Sequence, residues 1–358
     1  MKKKIGIVGT NGLPGRYGGW DQLLNHLTLN LKDKFSLIVY TSSYDAVKGL
    51  EEYNGAKLKI INLKANGYQS VFYDMISLFH GALKYNTLLV LGTSGCIFFP
   101  IVRLFRKKII LNPDGLEWNR GKWNKNIQNF LLLSEKIGIK YADTIVADNV
   151  NIQKYIWDTY KRKSELIEYG GDNASFVKLS DVTKAKYSIE NGHYAFKVCR
   201  IEPENNIHLL LSAFSKSNTK LILIGNWDNS DYGKELRNKY SLYSNLILLN
   251  PIYEQQILDE LRSNCGIYVH GHSVGGTNPS LVEAMNLGLC CIVLGVNYNI
   301  ETTEGKALYF NNEEDLSKLI EAYEQKKIDT NFYSSILKEI AQRRYKWSVI
   351  TDKYAELF

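Results

Sequence analysis

Cysteine is scarce in this chain: five among 358 residues, an odd number, with no Cys-x-x-Cys pair. That excludes a disulfide framework and fits buried free thiols in a reducing compartment. Long apolar runs are also lacking. The opening "MKKKIGIVGTNG" is basic, but its apolar stretch, Ile5 to Val8, is too short for a secretory leader. The most apolar segment, "TLLVLGTSGCIFFPIVRLF" (Thr87 to Phe105), approaches spanning length. It is interrupted by Gly92–Gly95, Pro100 and Arg103, so it reads as a strand, a glycine turn and a short helix. No Asp-x-Asp occurs, which argues against a metal-bound diphosphate. Repeats shorter than a domain and low-complexity segments are absent as well.

What is present is an ordinary globular composition, 45% hydrophobic and 23% charged, at a length that implies two domains. The net charge of +7 is unevenly spread. Residues 1–172 hold 24 Lys and Arg against 15 Asp and Glu; residues 173–358 hold 20 against 22. Basic clusters occur at Arg103–Lys108, Arg120–Lys125 and Lys161–Lys163, near Phe98, Phe99, Phe105, Trp118 and Trp123. Such a surface suits anionic lipid headgroups or a nucleic acid; a solvated face explains any one cluster equally simply.

Apolar runs in the first half mark strands at Lys4–Val8, Ser36–Tyr40, Leu58–Asn62, Thr87–Leu91, Lys108–Leu111, Thr144–Ala147 and Glu165–Glu168. Helical patterns fill the gaps, among them Asp21–Leu31, Val71–Tyr85 and Trp123–Tyr141. The pattern breaks at "EYGGDNASF" (Glu168–Phe176) and restarts with strands at Tyr194–Cys199, Lys220–Ile224, Leu246–Leu249, Gly266–Val269, Cys290–Val293 and Ala307–Phe310. Strands alternating with helices imply parallel, doubly wound α/β sheets. The expected organisation is two Rossmann-like domains, 1–172 and 173–340, facing across a cleft, and a terminal segment 341–358. Ligands of such sheets sit beyond the carboxyl ends of the strands.

The loop "GTNGLPGRYGGWD" (Gly9–Asp21) lies between the first strand and a helix start, a natural anion site. Gly9, Gly12 and Gly15 have dinucleotide-like spacing, but the second strand ends "LIVYTSS" without a carboxylate for a ribose, and Asp45 comes late. Tyr53/Lys57 and Tyr323/Lys327 show epimerase-like Tyr-x-x-x-Lys spacing, which 24 tyrosines produce by chance, and neither lies where that fold needs it.

The second half carries "YVHGHSVGGTNPSLVEAMNLG" (Tyr268–Gly288). A strand ends at His270, a glycine loop follows, and Pro279 opens a helix. Gly275, Gly276, Thr277 and Asn278 thus sit at a second anion cradle, with Glu283 one turn into the helix, suited to a ribose diol. Arg200 follows another strand and suits a diphosphate; pairing with Glu202 or Glu204 is the plain structural alternative. His270 reads as a core histidine.

These stretches, with "LNPDGLEWNRGKW" (Leu111–Trp123), "CRIEPENN" (Cys199–Asn206) and "YKWSVITDKY" (Tyr345–Tyr354), resemble the GT-B glycosyltransferases of family 4, in their bacterial rhamnosyltransferase branch. The resemblance covers essentially the whole chain. It implies a retaining, metal-independent transferase without a cofactor, and a C-terminal helix that crosses back to the first domain. It places Gly18 and Gly19 on the donor diphosphate, and Arg200 with Thr277, Asn278 and Ser280 on phosphate. Glu283 falls on the ribose, Tyr253 near the base and His272 by the sugar. Asp114 and Glu117 are the candidates for orienting the acceptor or stabilising positive charge; a plain turn at Asp114–Gly115 is the alternative. The chain departs from the family pattern in three places. Gly275 stands where the first carboxylate of Glu-x7-Glu is usual, Asn205 where a lysine is usual, and Asp21 where the first-domain motif has glutamate. Asn206, beside Asn205, is a further candidate donor. The implied reaction moves rhamnose from dTDP-rhamnose to a lipid-linked saccharide for surface polysaccharide, at the cytoplasmic face of a membrane. A UDP-hexose transferase, a non-catalytic nucleotide-sugar binder and a nucleic-acid binder are the rivals.

Overall fold

The computed structural model describes residues 2–15, 18–119 and 123–358. By contact the chain divides into two compact units: everything up to Tyr169 together with Trp347–Phe358, and Gly170–Lys346.

The first unit is built on a sheet of β1 (Lys3–Val8), β2 (Phe35–Ser42), β3 (Glu52–Tyr53), β4 (Ala56–Ile61), β5 (Thr87–Leu91), β6 (Lys108–Asn112), β7 (Thr144–Ala147) and β8 (Glu165–Leu166). Their order is β3-β4-β2-β1-β5-β6-β7-β8, parallel except for β3 on β4. Helices cover the sheet, so its inner strands are largely apolar, and β5 is buried along its whole length. β3 and β4 form a hairpin turned by Asn54 and Gly55, both at positive φ (49° and 77°). The chain winds outward from β1 in one direction and returns beside it as β5. The carboxyl ends of β1 and β5 therefore flank a crevice where the direction of winding reverses.

The helix Trp347–Leu357 belongs to this first unit. Trp347 stacks on His26 of the helix Gly19–Leu31, ring centroids 4.2 Å apart and ring planes nearly parallel. Tyr354 hydroxyl accepts from Asn112 Nδ2 at 3.0 Å, and Lys353 Nζ donates to Glu168 at 3.1 Å. Trp347, Ile350 and Tyr354 are buried. Burying side chains of this kind contributes about 1.5–3 kcal/mol each, which is why a short terminal helix stays docked.

The second unit holds β9 (Tyr194–Val198), β10 (Lys220–Ile224), β11 (Leu246–Leu249), β12 (Ile267–His270), β13 (Cys291–Leu294) and β14 (Leu308–Phe310). The order is β11-β10-β9-β12-β13-β14, all parallel. Ala195, Leu221, Leu223, Ile267, Val269 and Ile292 pack one face against Leu210, Phe214 and Trp227. Trp227 Nε1 donates to the Leu249 carbonyl at 2.9 Å, which satisfies the one polar group this ring buries. The winding reverses between β9 and β12, so the loops after these two strands lie side by side. Two parallel-sheet α/β units with a helical C-terminus match the doubly wound organisation expected from the alternating strands and helices.

Candidate functional site

In the second unit, the loops after β9 and β12 are stitched together by side chains. Asn205 Nδ2 donates to the Arg200 carbonyl at 2.9 Å, and its Oδ1 lies 2.7 Å from His272 Nδ1. A carbonyl can only accept, so Arg200 fixes which way the Asn205 amide points. Asn205 in turn makes His272 Nδ1 the donor in that bond. Asn206 Nδ2 donates to the Gly271 carbonyl at 2.8 Å, and the Ser273 amide and hydroxyl both donate to the Glu204 carbonyl at 2.9 Å. Asn205 is buried and its amide is spent on these two loops. It holds together the loops that carry Arg200 and His272.

The helix Pro279–Asn286 starts beside them. Asn278 caps it, its Oδ1 accepting from the Ser280 amide at 3.1 Å and the Ser280 hydroxyl at 2.8 Å. Tyr268 hydroxyl donates to Ser280 Oγ at 2.8 Å from below. Gly275 is at φ +115°, a conformation that L side chains rarely adopt. A Cβ built there would lie 3.5 Å from His272 Nε2, so the imidazole edge borders the position where the family pattern has a carboxylate. Thr277 is buried; Arg200, Gly276, Asn278 and Ser280 are half-buried. Tyr253, past the end of β11, is 70% exposed.

Glu283 is nearly buried and is held on both oxygens. Asn173 Nδ2 donates to Oε1 at 2.7 Å, and Arg262 pairs with Oε2. Arg262, wholly buried, reaches Asp259 Oδ1 at 2.6 Å with its other nitrogen. Burial alone would lower the Arg262 pKa, but the charges of Glu283 and Asp259 outweigh it and hold the guanidinium above its ordinary value. Sequence reading missed Asn173, Asp259 and Arg262. Asp259 and Arg262 are readable as an i,i+3 pair, but their tie to Glu283 needs the fold. His270 is fully buried, as a core histidine should be, with Nδ1 3.4 Å from the equally buried Lys197 Nζ. Burial pulls its pKa well down, and Lys197 adds to the effect.

In the first unit, Gly18 adopts φ +131° and precedes the helix Gly19–Leu31 without a side-chain cap. The first amides of that helix are thus not satisfied by a capping side chain. Arg16 and Tyr17 of this loop lie outside the described residues. Asp114 follows β6 at φ +66°, its amide donating to Asn112 Oδ1 at 3.2 Å, and Leu116 is also left-handed (φ 48°). Two non-glycine residues in that region are a strained turn. Glu117 accepts from Trp123 Nε1 at 3.0 Å. A buried acid that sequence reading missed, Asp74, takes a hydrogen bond from Ser94 in the loop after β5. Burial raises its pKa to about 7, against which the Ser94 bond works.

The basic clusters divide. Arg162 donates to the carbonyls of Ile139, Lys140 and Ala142 at 2.8–3.0 Å, which closes the end of the helix Lys125–Tyr141. Its role is structural. Residues 120–122 of the middle cluster lie outside the described residues.

Comparison with known proteins fits this geometry. Residues 2–172 match a domain of unknown function, DUF1972, and residues 180–339 match the glycosyl transferases group 1 domain. Similar solved structures include sucrose-phosphate synthase from Thermosynechococcus elongatus, 16% identical over 99% of this chain and 98% of that one, with TM-score 0.83. HepE of Anabaena, in complex with UDP-glucose, is 15% identical over 99% of each chain, with TM-score 0.79. The α,α-trehalose 6-phosphate synthase from Burkholderia multivorans is 12% identical over 100% and 96%, with TM-score 0.70. Identities this low establish the shared fold. A comparison with curated proteins gave no match. The region that matches the glycosyl transferases group 1 domain contains the stitched loops, the capped helix and the Arg262–Glu283 pair.

Proposed function

We propose that this chain is a glycosyltransferase that moves L-rhamnose from dTDP-rhamnose to a lipid-linked saccharide, with retention and without a metal, in bacterial surface polysaccharide assembly. One observation carries the reading. Arg200 follows β9 and the helix Pro279–Asn286 follows β12, the two neighbouring strands between which winding reverses in the second unit, with Glu283 one turn into that helix. A cation and a helix N-terminus suit a diphosphate, and a fixed carboxylate suits a ribose. On this reading Gly276, Thr277, Asn278 and Ser280 surround that anion, and Tyr253, which is exposed, meets the base.

The chemistry follows from the charge. As the glycosidic bond breaks, negative charge grows on the leaving diphosphate, and donors already aimed at it lower the barrier. One such donor is worth about 2.7–4 kcal/mol. The leaving phosphate oxygen takes the acceptor proton as the acceptor oxygen attacks on the same face. From the first unit, the amides at Gly18 and Gly19 contribute to anion binding. Asp114 orients the acceptor hydroxyl, and Glu117 supports its loop through Trp123. His272, beside Gly275, supplies a sugar contact in place of the usual carboxylate.

The neighbour solved with UDP-glucose supports a second reading, a UDP-hexose donor. Purified protein given radiolabelled dTDP-rhamnose, UDP-glucose and UDP-galactose, with lipid-diphosphate-linked saccharides, separates the two. Transfer from dTDP-rhamnose alone is the expected outcome. Transfer only from a UDP-hexose removes rhamnose and leaves the site; nucleotide binding without transfer to any acceptor leaves a non-catalytic binder.

A further inference from the structure

The helix Gln69–Lys84 has two apolar faces. Tyr73, Asp74, Ser77, Leu78, Gly81 and Ala82 face the sheet and are buried. The opposite face is not polar. Phe72, Ile76 and Leu83 project outward at helical spacing, all exposed, and Leu83 is 65% exposed. An ordinary surface helix carries charge there. With 1.5 Å of rise per residue, the stripe from Phe72 to Leu83 is about 16 Å long.

A second segment extends the stripe. Phe79 meets Phe98, ring centroids 6.4 Å apart, and past Phe98 the short helix and turn 99–105 expose Ile101 and Leu104, the latter at 78%. Contiguous exposed apolar side chains mark an interaction surface.

Apart from Asp143, which pairs with Arg103, the exposed charges of this face are positive. Residues 68–84 and 97–107 contain a single carboxylate, Asp74, and it is buried. Lys84 and Arg106 are exposed, Lys107 is half-buried, and Arg103 is paired with Asp143 at 2.7 Å. Lys59 and Lys84 both act on His80 of the same helix. Apolar side chains among cations complement a surface that is anionic outside and apolar beneath, which is a bilayer leaflet of anionic lipid.

We propose that the outward face of the helix Gln69–Lys84, with Ile101 and Leu104, seats the protein on an anionic lipid surface, Lys84, Arg106 and Lys107 meeting the headgroups. This rests on the reading of a lipid-linked acceptor and gives it a place. Among the described residues no helix is long and apolar enough to cross a membrane, so this contact is peripheral.

The test is co-sedimentation of the full chain with vesicles of phosphatidylcholine alone and of phosphatidylcholine with phosphatidylglycerol, without any donor. Binding to the mixed vesicles at least about tenfold above the neutral ones, weakening as salt rises, is expected. Leu83→Glu and Leu104→Glu, one on each segment, should each lower it by about tenfold or more, an effect the size of a charge entering a lipid boundary. Leu242→Glu, at a residue 92% exposed in the other unit, should not change it. Equal binding to neutral vesicles, no binding, or binding indifferent to both variants overturns the proposal. So does self-association by light scattering that Leu104→Glu abolishes while vesicles are ignored, which makes the face a contact between copies. Transfer to a water-soluble acceptor analogue is measured alongside. Retained transfer with failed vesicle binding removes this surface alone; vesicle binding with no transfer from any donor removes the transferase reading and leaves the surface.

Discussion

Arg262 and Glu283 pair inside the second unit, where water does not reach Arg262. Glu283 is the residue assigned to the ribose, and its orientation is set from behind by a guanidinium that also holds Asp259. Removing Arg262 strands two carboxylates in a dry site. Breaking a buried pair in this way costs about 3–5 kcal/mol. Arg262→Ala should lower the thermal midpoint sharply and weaken nucleotide binding more than tenfold. Arg262→Lys should recover part of the stability but less of the binding, because an ammonium cannot bridge two carboxylates in the same planar fork. Calorimetry with and without nucleotide measures both; unchanged affinity in a folded Arg262→Ala would detach Glu283 from the ribose.

Asp74 gives a pH signature. Its folded pKa, near 7, lies above the usual carboxylate value near 4 because the charged form is desolvated. Between those values the folded state holds a proton that the unfolded state has released. Stability from this group is therefore fully present below pH ~4 and is lost as pH rises through ~7, by up to about 4 kcal/mol. Asp74→Asn keeps the shape without the charge. Its gain in thermal midpoint over wild type should be larger at pH 8 than at pH 5. A gain that does not change with pH would show that Asp74 is ionised throughout.

The terminal helix contributes stability through Trp347. Its ring lies on His26, and Tyr169 meets its edge at 6.4 Å. Trp347→Ala opens a cavity that costs about 3–5 kcal/mol in the first unit. Urea unfolding followed by circular dichroism should show the midpoint falling, with nucleotide affinity at 25 °C little changed while the protein stays folded.

Sheet strands were legible because buried parallel strands are continuous apolar runs, and those at Thr87–Leu91 and Lys220–Ile224 match residue for residue. The hairpin at Glu52–Tyr53 was missed although "YNGA" holds the Asn-Gly signal for two left-handed turn residues. Trp123 was read into a helix that starts two residues later, where Asn124 accepts from the Ile127 amide and caps it. Motif residues at strand ends were visible because loop glycines and Pro279 punctuate the chain. Asn173, Asp259 and Arg262 were not, since a side chain's tertiary partner leaves no local pattern. Asn205 was legible as a lost lysine, but its work on Arg200 and His272 depends on β9 and β12 being neighbours.

The assignment of the diphosphate to protein donors makes the last prediction. If Arg200 and the start of the helix Pro279–Asn286 carry the leaving charge, a chelator has nothing to remove, and transfer in excess EDTA should match transfer without it. Arg200→Ala should then lower kcat by about 10²–10³, the effect of deleting one donor aimed at transition-state charge. Arg200 is half-buried and follows the strand rather than filling the core, so the variant should fold with an unchanged circular dichroism spectrum. Arg200→Lys should fall between, since a point charge keeps the attraction and loses the bidentate geometry. Loss of activity in EDTA, restored by magnesium or manganese, would move the charge-bearing role from Arg200 to a cation.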